Sequence, residues 1–253
     1  MEPGVTHTLT INQFEPIDPR LGRHVHHDSR SVNYLFLPKD ATPKHKSVTW
    51  ASSAAPLNQG ELGSCTGNAT AQVLNTDFMT WVRKYHQGKF FVESDAIRFY
   101  SLGTQLDTYP GAYPPTDTGC DGLSVAKAGV KLGYLDRYAH TMSFTSAQAA
   151  AELSPFIQGT VWTKKMFKPV NGLVTVGRIT DTTTAGGHEY AGVGIDWNSE
   201  VFVYRNSWGD QKDWPGCKKG GYFAISFAKR TPDVQNLLAE QGDVTILHGK
   251  GMA

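Results

Sequence analysis

The spacing of apolar residues changes once along this chain, and that change constrains the fold class. Ala69, Val73, Leu74, Phe78, Trp81 and Val82 recur at three- and four-residue steps, the period of a helix with one buried face. The pattern predicts a helix from about Cys65 to Tyr85, with Ser64 as its N-cap. Two shorter helices are expected at about 94–105 and 122–132, the second ending at Gly133. Beyond residue 155 the texture is that of strands, in Phe156-Ile157 to Val161-Trp162, Gly172 to Val176, Tyr190 to Ile195, Val201 to Tyr204 and Gly221 to Ile225. A helical lobe at about 60–140 followed by an antiparallel β lobe at about 155–230 is an α+β plan, with the cleft between the lobes as the natural site.

Residues 1–46 differ in kind. Pro3, Pro16, Pro19, Pro38 and Pro43 interrupt a polar stretch whose one apolar cluster is Tyr34-Leu35-Phe36-Leu37. This segment is expected to be a mostly extended arm with at most one short strand, ahead of a globular domain at 47–253 with a C-terminal tail after 230. Its prolines forbid a long helix. It is expected to dock as a structural strap or assembly contact through its apolar cluster, leaving the cleft open.

With 24 basic and 23 acidic residues the chain has no global field favouring nucleic acid or an anionic membrane. No run of 18 apolar residues is present, and Met1-Glu2-Pro3-Gly4 lacks the basic and apolar regions of a secretory signal. The expectation is a chain made in the cytoplasm, associated with a virion or released by lysis. Neither nucleic acid nor membrane is expected as a partner. His24, His26, His27 and Asp28 match no metal-ligand template, and no metal or cofactor is called for. Three cysteines, Cys65, Cys120 and Cys217, are too few for a disulfide framework; whether Cys120 and Cys217 pair is left open.

The chemistry centres on Cys65. A thiolate is the nucleophilic form of cysteine, and the free N–H groups and positive dipole end of a helix lower the pKa of a thiol in the first turn. Cys65 opens the longest helical pattern, after Gly60, Gly63 and Ser64, which allow a tight turn and a close approach of substrate.

Asn58-Gln59-Gly60-Glu61-Leu62-Gly63-Ser64-Cys65 resembles the nucleophile segment of papain-like cysteine peptidases. Gly187-His188-Glu189-Tyr190-Ala191-Gly192-Val193-Gly194 resembles that family's histidine strand, and Tyr204-Arg205-Asn206-Ser207-Trp208-Gly209 its asparagine motif. The three occur in the family's order, over about residues 47–230. The resemblance implies a papain-like two-lobe fold with a central helix carrying the nucleophile. It implies that Cys65 attacks the substrate carbonyl, that His188 holds and later returns its proton, and that Asn206 orients His188. Gln59, six residues before Cys65, would donate to the oxyanion beside the Cys65 main-chain N–H. A thiolate–imidazolium pair would form before substrate arrives. Trp208 would shield the His188–Asn206 hydrogen bond, and Gly122, Leu123, Gly187 and Trp208 would border the substrate.

The departures from the family pattern concern substrate preference. Leu62 replaces a customary cysteine, Thr66 an aromatic residue, and the loop Gly119-Cys120-Asp121-Gly122 lacks its usual disulfide partner, features that point to the bacterial and phage branch. In the family this chain resembles, the residue just before the histidine borders the pocket for the second residue upstream of the cut; here that residue is Gly187, and its lack of charge and bulk implies an open pocket favouring bulky uncharged over basic side chains. The leading activity is peptide-bond hydrolysis through a Cys65 thioester. A peptidoglycan-directed amidase or endopeptidase with the same residues is the second reading, and an assembly component of a phage particle the third.

Overall fold

The computed structural model describes residues 16–24, 29–36, 42–141, 143–228 and 242–251. Helix α1 (Cys65–Leu74) is buried along its whole length. With α2 (Glu93–Thr104) and α3 (Gly122–Lys131) it forms the helical lobe. The Asp121 carboxylate caps α3, accepting 2.8 Å hydrogen bonds from both the main-chain N–H and the hydroxyl of Ser124.

The β lobe is built on one eight-stranded sheet in the order β2 (Leu135–Thr141), β8 (Asp243–Gly249), β3 (Phe156–Thr163), β5 (Thr184–Asp196), β6 (Val201–Arg205), β7 (Tyr222–Ser226) and β4 (Leu173–Val174). The short β1 (Val48–Thr49) pairs separately with β5. All pairings are antiparallel except β4 with β7, which is parallel. Because successive strand residues face opposite sides, Tyr190 enters an aromatic core with Trp162, Trp208 and Phe223, while Ala191 joins the core shared with α1 and α2. The 13 residues of β5 therefore carry both cores on one backbone.

The five strands expected between 155 and 230 are all present, with shifted ends. Three expectations are corrected. The helix expected through Tyr85 stops at Leu74 and resumes as a 3₁₀ segment, Asp77–His86. Asn75 and Thr76 cause the break: Asn75 spends its side-chain amide on both main-chain groups of Phe91, at 2.8 Å each, and Thr76 donates to Val73 O at 2.7 Å. Phe78, Trp81 and Val82 stay on the buried side, so the apolar period runs on across the break. Ser64 does not cap α1 with its side chain; its hydroxyl accepts from Asn68 Nδ2 at 3.0 Å instead. The segment expected to be a tail supplies β8, which sits inside the sheet between β2 and β3, and a further helix, α4 (Phe144–Leu153), precedes β3.

One part of the arm lies against β2 and another enters the cleft. After a 3₁₀ turn at Ser29–Tyr34, Leu35 bridges His140 and the Phe36 N–H donates to His140 O at 2.7 Å, while Tyr34 packs on Tyr138. The cluster thus rests against β2; Leu37 lies outside the described residues. Residues 16–24, by contrast, enter the cleft.

The Asn75 hinge can be tested by removing it. Asn75→Ala leaves the Phe91 N–H and C=O buried without partners, and is expected to lower stability by about 3 kcal/mol in urea denaturation. A loss below about 0.5 kcal/mol would contradict the role given to this side chain.

Candidate active site

The expected residues converge where α1 meets β5 and the loop after β6. The Gly63 N–H donates to Asp117 Oδ2 at 2.7 Å, Asp117 also receives the Tyr100 hydroxyl, and the same hydroxyl accepts from the Gly119 N–H at 3.0 Å. This network fixes the turn before Cys65 against the loop at 117–120. Cys65 then stands at the first position of α1, fully buried.

Residue His188 faces the aromatic core from β5. Its Nε2 is 2.8 Å from Asn206 Oδ1, the hydrogen bond expected between them. Trp208 stacks on the imidazole at 4.8 Å and Trp162 meets it edge-on at 4.9 Å, so the bond is dry. Asn206 Oδ1 also accepts from the Ser207 N–H at 2.9 Å, which holds the amide in place.

Two main-chain hydrogen bonds, Gln59 N–H to Ser207 O and Gly209 N–H to Leu57 O, both 2.9 Å, bind the segment around Gln59 to the asparagine motif. The Ser207 hydroxyl donates to Gln59 Oε1 at 2.6 Å, leaving Nε2 as the face turned to the cleft. Ser207 lies beside Asn206 in the sequence, yet its role in setting Gln59 depends on a contact across 148 positions.

What Gln59 Nε2 meets in the cleft is the protein's own arm: it donates to Arg20 O at 3.1 Å, and to Leu62 O at 2.7 Å. The arm continues between the two walls. Gly22 O accepts from the Cys120 N–H at 2.8 Å, the Arg23 N–H donates to Gly187 O at 3.2 Å, and the His24 N–H donates to Cys120 O at 3.0 Å. Both bridges, Gly22 with Gly187 and Arg23 with Cys120, are parallel. Gly22 passes so close to Gly63 that a Cβ on it would collide with the Gly63 carbonyl. Outside the cleft Arg20 stacks on Trp208, its guanidinium carbon 4.2 Å from the ring centroid, and pairs with Asp18 at 2.7 Å.

This arrangement corrects the expectation of an open cleft with an accessible thiol. It also shifts the pKa values of Cys65 and His188. Burial pushes the Cys65 thiol up to about 12, with the Glu189 charge adding to it, against hydrogen bonds from the main chain of Glu189 and Gly22. Burial takes His188 down to about 4; the Asn206 hydrogen bond opposes the shift and the Arg20 charge reinforces it. Both shifts disfavour the expected thiolate–imidazolium pair while the arm is in place. His188 Nδ1 is buried without a hydrogen bond among the described residues.

The residues expected to border substrate are placed as follows. Gly187 gives its carbonyl to the arm, Trp208 lies under Arg20, and Gly122 begins α3 beside the carboxylates of Glu189 and Asp243. Leu123 is buried in the same turn. The pocket next to Gly187 is not uncharged, as its sequence neighbour implied: it is lined by Glu189 and Asp243 and filled by Arg23. Glu189 immediately follows His188, an acid in the buried middle of a strand whose neighbouring residues are mostly small or apolar. That was the available signal; Asp243 gave none.

Cys65, Cys120 and Cys217 are all unpaired. Of the cluster His24, His26, His27 and Asp28 only His24 is among the described residues, stacked on Tyr109 at 3.5 Å. No group of three metal-ligating side chains converges among the described residues.

No protein-family model matches the sequence, and no curated protein matches it. Solved structures do. The chain is similar to xylellain, a cysteine protease from Xylella fastidiosa, with a TM-score of 0.64 and 16% identity over 95% of this chain and 99% of that one. It is also similar to digestive procathepsin L2 proteinase from Tenebrio molitor larval midgut, with a TM-score of 0.57 and 17% identity over 96% of this chain and 84% of that one. The cysteine protease CMS1MS2 of Carica candamarcensis gives a TM-score of 0.51 at 17% identity, over 80% of this chain and 97% of that one. The fold of this chain is therefore the papain-like α+β fold, two lobes with a cleft between them.

Proposed function

We propose that the chain is a cysteine peptidase that cleaves peptide bonds through a Cys65 thioester, and that the described state is its latent form. The observation that carries this reading is the peptide already in the cleft. A main-chain carbonyl, Arg20 O, is held by the Gln59 amide as the arm passes Cys65, and the His188–Asn206 pair stands beside it under Trp208. An extended peptide, an oxyanion donor and an oriented imidazole are the parts that acyl transfer to a thiol requires.

The arm lies in the cleft without offering itself for cleavage. Burial raises the Cys65 thiol and lowers the His188 imidazole, which disfavours the thiolate that would attack it. When the arm leaves, water reaches both groups and the cations of Arg20 and Arg23 move away from the imidazole. The thiol pKa then falls, the imidazole pKa rises, and transfer of the proton from Cys65 to His188 becomes feasible. In the reaction Cys65 Sγ attacks the carbonyl carbon, Gln59 Nε2 and the Cys65 N–H receive the developing oxyanion, and His188 returns the proton to the departing amine. Water then attacks the thioester, and Cys65 regains its proton.

The latent state makes a definite expectation about access. Gly22→Ala forces the arm off Gly63, and a clash of this kind costs about 1–3 kcal/mol. Labelling of Cys65 by a thiol-directed epoxide, followed by mass mapping, is expected to be roughly tenfold faster or more than in the unaltered chain. Equal rates would show that the arm does not shield the thiol.

Activity is best sought in the Gly22→Ala chain, with a peptide library beside purified cell-wall fragments. Cys65→Ala is expected to abolish hydrolysis and leave the melting curve nearly unchanged. Gln59→Ala should reduce turnover by roughly a hundredfold or more, the usual cost of one oxyanion donor. Hydrolysis that survives Cys65→Ala would overturn the assignment.

A further inference from the structure

The chemistry above leaves unused a row of buried charge beside Cys65. In the sheet register Gly159 on β3 stands opposite Glu189 on β5 and opposite Asp243 on β8. Directly paired residues point to the same side of a sheet, so two carboxylates flank a position that has no side chain. Across from it stands Gly122, at the head of α3, where a Cβ would lie 3.0 Å from Glu189 Oε1 and 3.1 Å from Asp243 Oδ2. Two glycines and two acids thus make a narrow slot.

The slot holds the side chain of Arg23. Its Nη2 is 2.5 Å from Asp243 Oδ1 and its Nε 3.4 Å from Glu189 Oε2, and a Cβ on Gly159 would strike that Nε. Glu189 is fully buried, and neither of its carboxylate oxygens has a hydrogen bond among the described residues. His140 Nδ1 lies 3.9 Å from Asp243 Oδ2 on the far side. The main chain of Arg23 is held in the frame an extended peptide would use, between Gly187 O on one wall and Cys120 on the other, one residue beyond the Gly22 main chain that hydrogen-bonds Cys65.

We infer that the slot formed by Glu189, Gly159, Asp243 and Gly122 is a guanidinium-binding subsite, filled by Arg23 in the closed chain and open to an arginine side chain of an extended peptide once the arm is displaced. Arginine fits because its planar fork lies over Gly159, where no side chain obstructs it, and can face both carboxylates. A leucine or phenylalanine there would leave the Glu189 carboxyl, which has no hydrogen bond among the described residues, buried with no cation beside it. Citrulline has the same shape and no charge, which makes it the proper control. The claim that a bound arginine peptide is cleaved rests on the peptidase reading; the claim that the slot binds a guanidinium does not.

The test uses the full chain and two readouts. In Arg23→Ala, N-acetylarginine amide is expected to raise the melting temperature with dose, and N-acetylcitrulline amide at the same concentrations is not. The unaltered chain, with its slot filled, should respond to neither, and Arg23→Ala with Asp243→Asn should lose the response. Should Arg23→Ala fail to fold, the Gly22→Ala chain is assayed with two peptides differing only by arginine or citrulline at the residue entering the slot. The arginine peptide is expected to be favoured at least tenfold in kcat/KM, and Asp243→Asn should erase the preference. Guanidinium-selective stabilisation without hydrolysis of any peptide would leave the subsite standing and sink the peptidase reading. Hydrolysis indifferent to arginine, or equal stabilisation by both amides, would overturn the subsite.

Discussion

One guanidinium between two buried carboxylates governs the state of this molecule. Asp243 and Glu189 are brought side by side by strand register, and Arg23 is the cation that answers them. Burial, with the Asp243 charge beside it, holds the Glu189 carboxyl well above its ordinary range. Burial alone would lower the pKa of the Arg23 guanidinium, but the charges of Asp243 and Glu189 hold it above its ordinary value. Removing one partner from such a buried pair costs about 3–5 kcal/mol, because the other charge is left dry and unmatched. An interaction of that size adds to the arm's other contacts, which are main-chain hydrogen bonds, the Gln59 amide on Arg20 O, the buried Leu21 side chain and the Arg20 cation over Trp208.

Strand β5 links this pin to the candidate catalytic groups. Neighbouring residues point to opposite faces, so His188 enters the aromatic core to meet Asn206, Trp162 and Trp208, while Glu189 turns toward α1 and α3. The same backbone hydrogen-bonds Cys65 at Glu189 and accepts the arm at Gly187. A group that occupies the slot therefore sits one residue along the strand from the imidazole. Closure that removes water raises the thiol and lowers the imidazole together, without any distortion of the His188–Asn206 pair.

Much of the site was legible because its chemistry is local. Gln59 with Cys65, His188 in its glycine-flanked strand and Asn206 with Trp208 each lie in a short segment, and those segments resembled a known family in order. The α+β plan was legible from the change of period. What escaped reading depends on contacts across the chain. Asn75 ends α1 by bonding Phe91, and the apolar face continuing through Trp81 and Val82 hid the break. The strand at Asp243–Gly249 looked like a tail because its pairing with β2 and β3 cannot be seen from its own residues. The pocket beside Gly187 was judged by that glycine, whereas its charge comes from Glu189 two positions on and Asp243 two strands away. The arm's prolines did exclude a long helix, but an extended peptide blocks a cleft as well as a helical unit does.

The central claim is that residues 20–24 lie across the cleft in the intact chain, pinned by Arg23. Amide hydrogen exchange resolved to single residues tests it most directly. The account requires protection of the Arg23, His24 and Cys120 amides, which bond across the cleft, and loss of that protection in Arg23→Ala while the Gln59 and Gly209 amides stay protected. Exchange of the Arg23 and His24 amides at the rate of a free peptide in the unaltered chain would contradict it.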